Sequence, residues 1–209
     1  MEPATRLREI AKNLYGWSSF HNQWKIDFNS YAIKTPDGVV LVDPLKPTPA
    51  VLKKLEALGE FLAIYLTNAH HDREADSFRK QYQIQVYAHE KAKSDCDTKI
   101  DVLVLDGEKL PGGVRAVYLP GSSASEMALH VKVGGGTILV GDALLRQPNH
   151  GVELLPDQYL EDRKQALASL RRLLELDFKV ITFAHGDPIT EDAHKTIAAF
   201  LQKTKKNSK

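Results

Sequence analysis

Residues 61–66, FLAIYL, form a continuous run of apolar side chains. A strand that is covered on both faces needs such a run, whereas a strand with one wet face alternates apolar and polar residues. The next segment, READSFRKQYQ, has helical character, and IQVYAH after it has the composition of another strand. These three segments predict a βαβ unit, in which a helix covers one face of a sheet.

The other segments predict sheets and helices in an order typical of layered α/β proteins. YAIKTPDGVVLVDP contains two β-rich runs joined by a Pro-Asp-Gly turn, and TPAVLKKLEALGE has the start and stop signals of a helix. In the second half, EMALHVKVGGGTILVGDALL predicts strands around a tight turn, and YLEDRKQALASLRRLLEL predicts the longest amphipathic helix. A strand, FKVITFAHG, and a closing helix, DAHKTIAAFLQK, complete the order. We therefore expect two mixed sheets with helices outside, in one domain over residues 1–209 with flexible ends at about 1–14 and 203–209.

Charge and composition narrow the classes of partner. The 209 residues carry 28 basic and 27 acidic side chains, so the net charge of +1 gives no field that favours nucleic acid or an anionic membrane. The N-terminus has no apolar signal core, and no run approaches the ~18 apolar residues of a membrane span. We expect a cytoplasmic protein with a small-molecule ligand, without nucleic-acid or membrane partners, and of an oligomeric state that the sequence leaves open. The single cysteine, Cys96, has no partner for a disulfide within the chain.

Candidate functional residues stand at the ends of four predicted strands, where layered α/β folds hold their sites. They are the cluster from Asn68 to Arg73, Ser122 with Ser123, Asp142, and His185. His150, in the loop after Asp142, is expected to be an exposed loop residue. Four strand ends that carry His, Asp and Ser predict one convergent site.

The order of these segments resembles the metallo-β-lactamase superfamily, whose members carry a THxHxDH loop, a PGH turn, a GD after a strand and a late His. Here the matching segments are TNAHHDR (67–73), PGSS (120–123), VGD (140–142) and AHG (184–186). The early hairpin NSYAIKTPDGVVLVDP is also similar to the family's opening hairpin, with Asn29, Ser30 and Asp43. The resemblance implies an α/β fold, a four-layer αββα sandwich of two mixed sheets flanked by helices.

The resemblance also implies where metal ligands would lie, residue by residue. The family's first metal position corresponds to Asn68, His70 and Ser122, so one of its three histidines is present. The second position corresponds to Asp72, Arg73 and His185, and the bridging carboxylate corresponds to Asp142. The predicted metal ligands are therefore His70, Asp72, Asp142 and His185, and the expected cofactor is none or a single divalent metal, with zinc first.

Arg73 opposes easy metal binding at the second position, because a guanidinium stays charged and has no electron pair to donate. At about 4 Å and an effective dielectric of about 20, each pair of unit charges interacts by roughly 4 kcal/mol. We hypothesise that Arg73 bridges the carboxylates of Asp72 and Asp142 as an internal counterion. By alternation along the loop, the side chain of His71 is expected to point away from the site.

Three functions follow as hypotheses. The preferred one is a hydrolase-like protein with a depleted metal centre, in which Asn68, Arg73 and Ser122 replace ligand histidines and classical dinuclear hydrolysis is weak or absent. The first alternative is an active single-metal hydrolase of a small ester, thioester, lactone or phosphoester that uses Asp72, Asp142 and His185. The second alternative is a non-catalytic domain that binds a small ligand or a protein. The residues predicted to act in any chemistry are His70, Asp72, Arg73 and Asp142.

Overall fold

Two mixed sheets form the centre of the computed structural model, which describes residues 2–147 and 151–206. The larger sheet has its strands in chain order: β1 (Leu7–Ala11), β2 (Leu14–His21), β3 (Ile26–Thr35), β4 (Gly38–Val42), β5 (Phe61–Tyr65), β6 (Gln85–His89) and β7 (Val102–Val104). The smaller sheet contains β8 (Lys109–Leu110), β9 (Val114–Tyr118), β10 (Met127–Val131), β11 (Thr137–Val140) and β14 (Val180–Phe183), with β14 beside β11. A separate hairpin pairs β12 (Leu145–Gln147) with β13 (Gly151–Glu153).

Helices cover the outer face of each sheet. The larger sheet packs against α1 (Pro49–Glu56) and α2 (Ala75–Tyr82), and the smaller one packs against α3 (Arg163–Leu170) and α4 (Ala193–Lys206). A third apolar layer lies between the sheets and takes side chains from both, for example Ile33 and Val40 from one and Leu129 and Leu139 from the other. The layers are therefore α, β, β, α, which confirms the predicted sandwich.

The local signals explain these elements. β3 and β4 pair antiparallel with Thr35 opposite Gly38, so Pro36 and Asp37 form the predicted two-residue turn. Gly38 has a φ of 139°, and a Cβ there would lie 2.8 Å from the carbonyl oxygen of Glu60, so the turn requires glycine. β5 and β6 are parallel neighbours joined through α2, as the predicted βαβ unit requires.

One expectation about elements needs correction, the length of the predicted long helix. β1 lies within the lead-in 1–14 and pairs antiparallel with β2, and α4 extends into the expected tail as far as Lys206. Residues 207–209 lie outside the described residues, as does His150. The predicted long helix is shorter: α3 begins at Arg163 because the Asp162 carboxylate caps it by accepting from the Gln165 N–H, and a 3-10 segment, Arg171–Glu175, follows it. Within the described residues, α4 is the longest helix.

Close backbone approaches bring the strand ends together at one edge of the sandwich. The chain after β11 packs so tightly that a Cβ at Gly141 would lie 2.7 Å from the Glu126 carboxyl oxygen. After β14, Gly186 has a φ of 94° and packs on the carbonyl of Arg146. No helix within residues 2–147 and 151–206 has the length and apolar composition of a membrane span.

Candidate metal centre

The first site loop, residues 67–73, follows β5 and contains a single 3-10 turn, Ala69–His71. Asn68 caps this turn, since its side-chain oxygen accepts from the backbone N–H of His70 at 2.9 Å. A 3-10 turn has three residues, so side chains at i and i+3 lie on the same face. The face of Asn68 is therefore shared by His71.

This turn reverses the expected roles of the two histidines. His70 is exposed, whereas His71 is buried and directed at Asp142. The prediction assumed that side chains alternate along an extended loop, and the 3-10 turn breaks that alternation. His70 is thus placed away from the cluster of ligand atoms, and His71 enters it.

His71 is held through its Nδ1 atom, which lies 3.0 Å from Asp43 Oδ2 and 2.9 Å from Thr67 Oγ1. The hydroxyl of Thr67 already donates to Asp43 Oδ2 at 2.6 Å. A carboxylate only accepts, so Nδ1 carries the proton and Nε2 faces Asp142 Oδ2 at 3.4 Å. Burial, the largest single cause, lowers the pKa of His71, but the carboxylates of Asp142 and Asp43 together outweigh it and the net pKa rises to about 9.

His185 reaches the same carboxylate from the end of β14. Its Nδ1 atom lies 2.9 Å from the carbonyl oxygen of Asp27 and therefore donates, which directs Nε2 toward Asp142 Oδ1 at 3.3 Å. The Phe28 ring contacts the imidazole edge-on, with ring centroids 4.6 Å apart. Neighbouring residues of β3 thus fix both the tautomer and the plane of the His185 ring.

The three side chains form a donor set that fits a metal ion. Ligand atoms of His71, Asp142 and His185 all lie within 4.8 Å of one another. Nε2 of His71 lies 3.4 Å from Oδ2 of Asp142, and Nε2 of His185 lies 3.3 Å from Oδ1, so the two imidazoles face different oxygens of one carboxylate. When both histidines are neutral, the Nε2 electron pairs of His71 and His185 point at the Asp142 carboxylate. Electron pairs on both sides repel each other, so a proton or a cation must lie among these atoms. Zinc and iron are commonly bound by two imidazoles and a carboxylate. In such sites the other ring nitrogen of each imidazole usually donates to an acceptor that orients the ring.

Asp142 also receives a hydrogen bond from the position where the family has a histidine. The side-chain amide of Asn68 donates to Asp142 Oδ2 at 3.1 Å and to Glu126 Oε2 at 3.0 Å. Burial, the largest single cause, raises the pKa of Asp142, but His71 and His185 together outweigh it and hold the pKa well below its usual range. Burial and then the Asp142 charge raise the pKa of Glu126 to about 8. Asn68 thus joins an ionised carboxylate to a carboxyl group that favours its neutral form.

Asp72 lies in the loop, but its carboxylate binds backbone groups. Oδ1 accepts from the N–H of Arg73 at 2.8 Å, and Oδ2 accepts from the N–H of Thr98 at 3.0 Å. Asp72 is absent from the cluster of ligand atoms found among the described residues. The Asp72 carboxylate therefore ties the site loop to the segment around Thr98, and its role as a metal ligand stays a prediction.

Arg73 does not bridge carboxylates as hypothesised. Its Nη1 donates to the carbonyl oxygens of Asn29 at 2.6 Å and Asp43 at 3.1 Å, and its guanidinium lies 5.1 Å from the Phe28 ring centroid. Nε and Nη2 are buried and have no hydrogen-bond partner among the described residues. Burial lowers the pKa of Arg73, while Asp43 and then Asp142 raise it. The guanidinium therefore binds carbonyls beneath the centre, and its counterion role stays a prediction.

The second site loop, residues 120–126, joins β9 to β10. Ser125 Oγ accepts from the N–H of Ala69 at 3.1 Å, and Glu126 contacts Asn68, so this end of the loop supports the first site loop. By contrast, the Oγ atoms of Ser122 and Ser123 are buried without a hydrogen-bond partner among the described residues. Within residues 2–147 and 151–206, no further imidazole joins the cluster of His71, Asp142 and His185 to replace the one that the family pattern has at position 122.

Comparison with known proteins identifies the family. A model of the metallo-beta-lactamase superfamily matches residues 8–200. The chain belongs to the metallo-β-lactamase superfamily. No curated protein matches the sequence at a significant level.

Solved structures of this superfamily share its fold. A metallo-beta-lactamase from Pontibacter korlensis has a TM-score of 0.75 at 15% identity, over 94% of this chain and 98% of that one. The DIM-1 metallo-beta-lactamase has a TM-score of 0.77 at 15% identity, over 97% and 99% of the two chains. An archaeal superfamily protein from Sulfolobus tokodaii has a TM-score of 0.69 at 19% identity, over 92% and 86%. At these identities the likeness establishes the fold alone.

Sequence reasoning about this superfamily member missed three residues of the centre. Asp43 belongs to the opening hairpin, but no residue pattern predicts its left-handed φ of 48° in a buried position. Glu126 matches no motif position and is fully buried. For His71 a signal existed, because Asn68 is a favourable cap for a short turn that would bring residue 71 to its own face.

Proposed function

We propose that the chain is a hydrolase-like member of its superfamily that binds one divalent metal ion on His71, Asp142 and His185. The convergence of these three donors within 4.8 Å carries the proposal. As in the sequence-based prediction, the proposed centre lacks the ligands of a second metal. In the predicted ligands of a single metal, His71 takes the place of Asp72.

The chain's own residues support this role in defined ways. Asp43 and the carbonyl of Asp27 hold protons on the two Nδ1 atoms, which keeps both Nε2 electron pairs available to a ligand. Asp142 is the most accessible of the three, with 20% of its side chain exposed, against 4% for His71 and 10% for His185. A bound cation would supply Lewis-acid activation of an ester, thioester, lactone or phosphoester. The substrate would therefore approach on the Asp142 side.

A second metal is disfavoured by the composition of the positions that would hold it. Asn68, Ser122 and Arg73 stand where the family pattern has histidines, and none offers an imidazole or a carboxylate. The amide nitrogen of Asn68 is turned toward Asp142 and Glu126 as a donor, so it cannot act as a ligand there. We therefore propose a mononuclear centre, with zinc as the metal.

One observation favours a second candidate, a non-catalytic domain that binds a small ligand or a protein. With His71 protonated, its contact with Asp142 becomes a hydrogen bond, since the imidazolium would donate to both Asp43 and Asp142, while Nε2 of His185 still faces Asp142 Oδ1. The raised pKa of His71, caused by Asp142 and Asp43 against the effect of burial, favours that form. A proton would then take the place of the metal.

Metal analysis of matched histidine variants tests the proposal. The protein is purified without added metal, titrated with zinc and with ferrous iron, and measured by plasma mass spectrometry and calorimetry. We expect about one equivalent of metal, which is lost in His71→Asn and kept in His70→Asn, its exposed neighbour. Absence of tight binding, or an equal loss in both variants, would leave the non-catalytic candidate. A panel of ester, thioester, lactone and phosphoester substrates, with and without chelator, then tests hydrolysis.

A further inference from the structure

A cavity lies at the end of the sandwich opposite the metal centre. β3 spans this distance: Asn29 lies at the centre, and Lys34 with Thr35 lies at the cavity. Lys34 lies five positions after Asn29 along the strand, or roughly 17 Å at ~3.3 Å per residue. The cavity has a volume of about 620 Å³, which falls in the usual range for small-molecule sites. It is therefore distinct from the candidate metal centre.

The side chains that line this cavity carry charge of one sign. Lys12, Lys34 and Lys132 contribute to its wall, and the lining contains no Asp or Glu. None of the ion pairs found within residues 2–147 and 151–206 uses these lysines. The chain as a whole is nearly neutral, at +1. Three unpaired positive charges around one concave surface therefore form a local field that attracts anions.

The backbone of the cavity adds to this character. Gly134 and Gly135 line it in the turn between β10 and β11, with left-handed φ values of 62° and 84°. Turns of this kind expose peptide N–H groups, which bind anions in concave nests. Lys179 packs beside the same turn, since a Cβ at Gly135 would lie 3.0 Å from its Cδ. The aliphatic part of a fourth lysine thus lies beside this turn.

We propose that this cavity binds a soluble small molecule that carries two or more phosphate groups. Lysines suit phosphate as mobile point charges, and several of them favour a multiply charged ligand over a single carboxylate. A membrane headgroup suits the cavity less well, because the large exposed apolar side chains, Phe20, Trp24, Leu103, Leu105 and Tyr159, lie elsewhere. The site is independent of the metal centre and of hydrolysis there.

Calorimetric titration with inorganic triphosphate at low ionic strength tests the proposal. The test variant is the double charge reversal Lys34→Glu with Lys132→Glu. The matched control is Lys53→Glu with Lys54→Glu, which changes the net charge equally at two exposed residues of α1. We expect binding to weaken at least ~10-fold in the test variant and less than ~2-fold in the control. His71→Asn should leave triphosphate binding unchanged, which separates this cavity from the metal centre.

Two results would overturn the proposal. One is the absence of a saturable heat with the unaltered protein up to millimolar triphosphate. The other is an equal weakening in both charge-reversal pairs, because a general electrostatic attraction would respond to net charge alone. Retention of native circular dichroism in both variants is expected, since all four lysines are exposed.

Discussion

The two site loops have lost family histidines with different consequences. In the first site loop, the turn capped by Asn68 places His71 on the same face as residue 68, where the family pattern has a histidine. An imidazole therefore still reaches Asp142. In the second site loop, no imidazole of the described residues replaces the one missing at Ser122, whose hydroxyl is buried without a hydrogen-bond partner among them. A motif that has lost a ligand residue from its sequence can therefore still place an imidazole at the site, but only where the local backbone turns a neighbouring histidine toward it.

The largest expected effect concerns the carboxylate that both histidines face. Asp142→Asn should weaken metal binding on the order of 100-fold or more, because it removes a charged ligand. Asp72→Asn, in the other predicted carboxylate, should weaken it by less than ~10-fold, because Asp72 binds backbone groups. Zinc titration calorimetry measures both. Loss of the metal in Asp72→Asn would restore the ligand set predicted from the sequence.

The next effect concerns the link between the two loops. Asn68→Ala removes the cap of the 3-10 turn and leaves Glu126 and Asp142 without their shared donor, so we expect a loss of ~2 to 3 kcal/mol of unfolding free energy. Urea denaturation in the presence of chelator measures it. His70→Ala, one turn position away and exposed, should change stability by less than ~0.5 kcal/mol. Similar values for the two variants would mean that the loops are not coupled through Asn68.

A pH-dependent effect is expected at Glu126, which belongs to the second site loop. Burial, then the Asp142 charge, raise its pKa from 4.5 to about 8 in the folded protein. Below pH 4.5 the group is protonated in both states. Between pH 4.5 and 8 only the unfolded chain ionises, so stability falls with rising pH, by at most ~1.4 kcal/mol per unit.

Glu126→Gln removes that ionisation and keeps an acceptor for the Ala143 N–H. The variant should therefore gain stability relative to the unaltered protein as pH rises from 5 to 8, in denaturant titrations with chelator present. Parallel stability curves for the two proteins would show that Glu126 ionises normally in the fold.

The smallest expected effects on unfolding free energy concern two serines at opposite ends of the second site loop. Ser125→Ala removes an acceptor from the N–H of Ala69 and should cost ~1 kcal/mol. Ser122→Ala removes a hydroxyl that has no partner among the described residues and should change stability by less than ~0.5 kcal/mol. Thermal or urea unfolding distinguishes them. A cost at Ser122 equal to that at Ser125 would mean that the Ser122 hydroxyl has a binding role.

The fold could be predicted because its signals are local and repeated. The buried run of β5, the turn at Pro36 and Asp37, and the βαβ order each depend on a few adjacent residues. The order of four motifs then sufficed for the family. The extent of α3 could not be predicted as well, because the Asp162 cap competes with an apolar pattern that continues on both sides.

The site was predicted in part, and the failures have physical reasons. Asp142 and His185 stand directly after strands, where the direction of a side chain follows from the sheet. His70 and Asp72 lie in a loop, where one short turn decides which residues face inward. The contacts of Arg73 with two backbone carbonyls depend on a left-handed φ of 41° at that residue, and no residue pattern predicts such a φ.

The three donors come from both sheets: His71 follows β5 of the larger one, whereas Asp142 and His185 follow β11 and β14 of the smaller one. A cation held by them would cross-link the two halves of the sandwich at one edge. Its occupancy would raise the melting temperature in proportion to the logarithm of its free concentration, because the separated sheets could not hold it. Thermal stability would then report on metal supply, even where no reaction takes place.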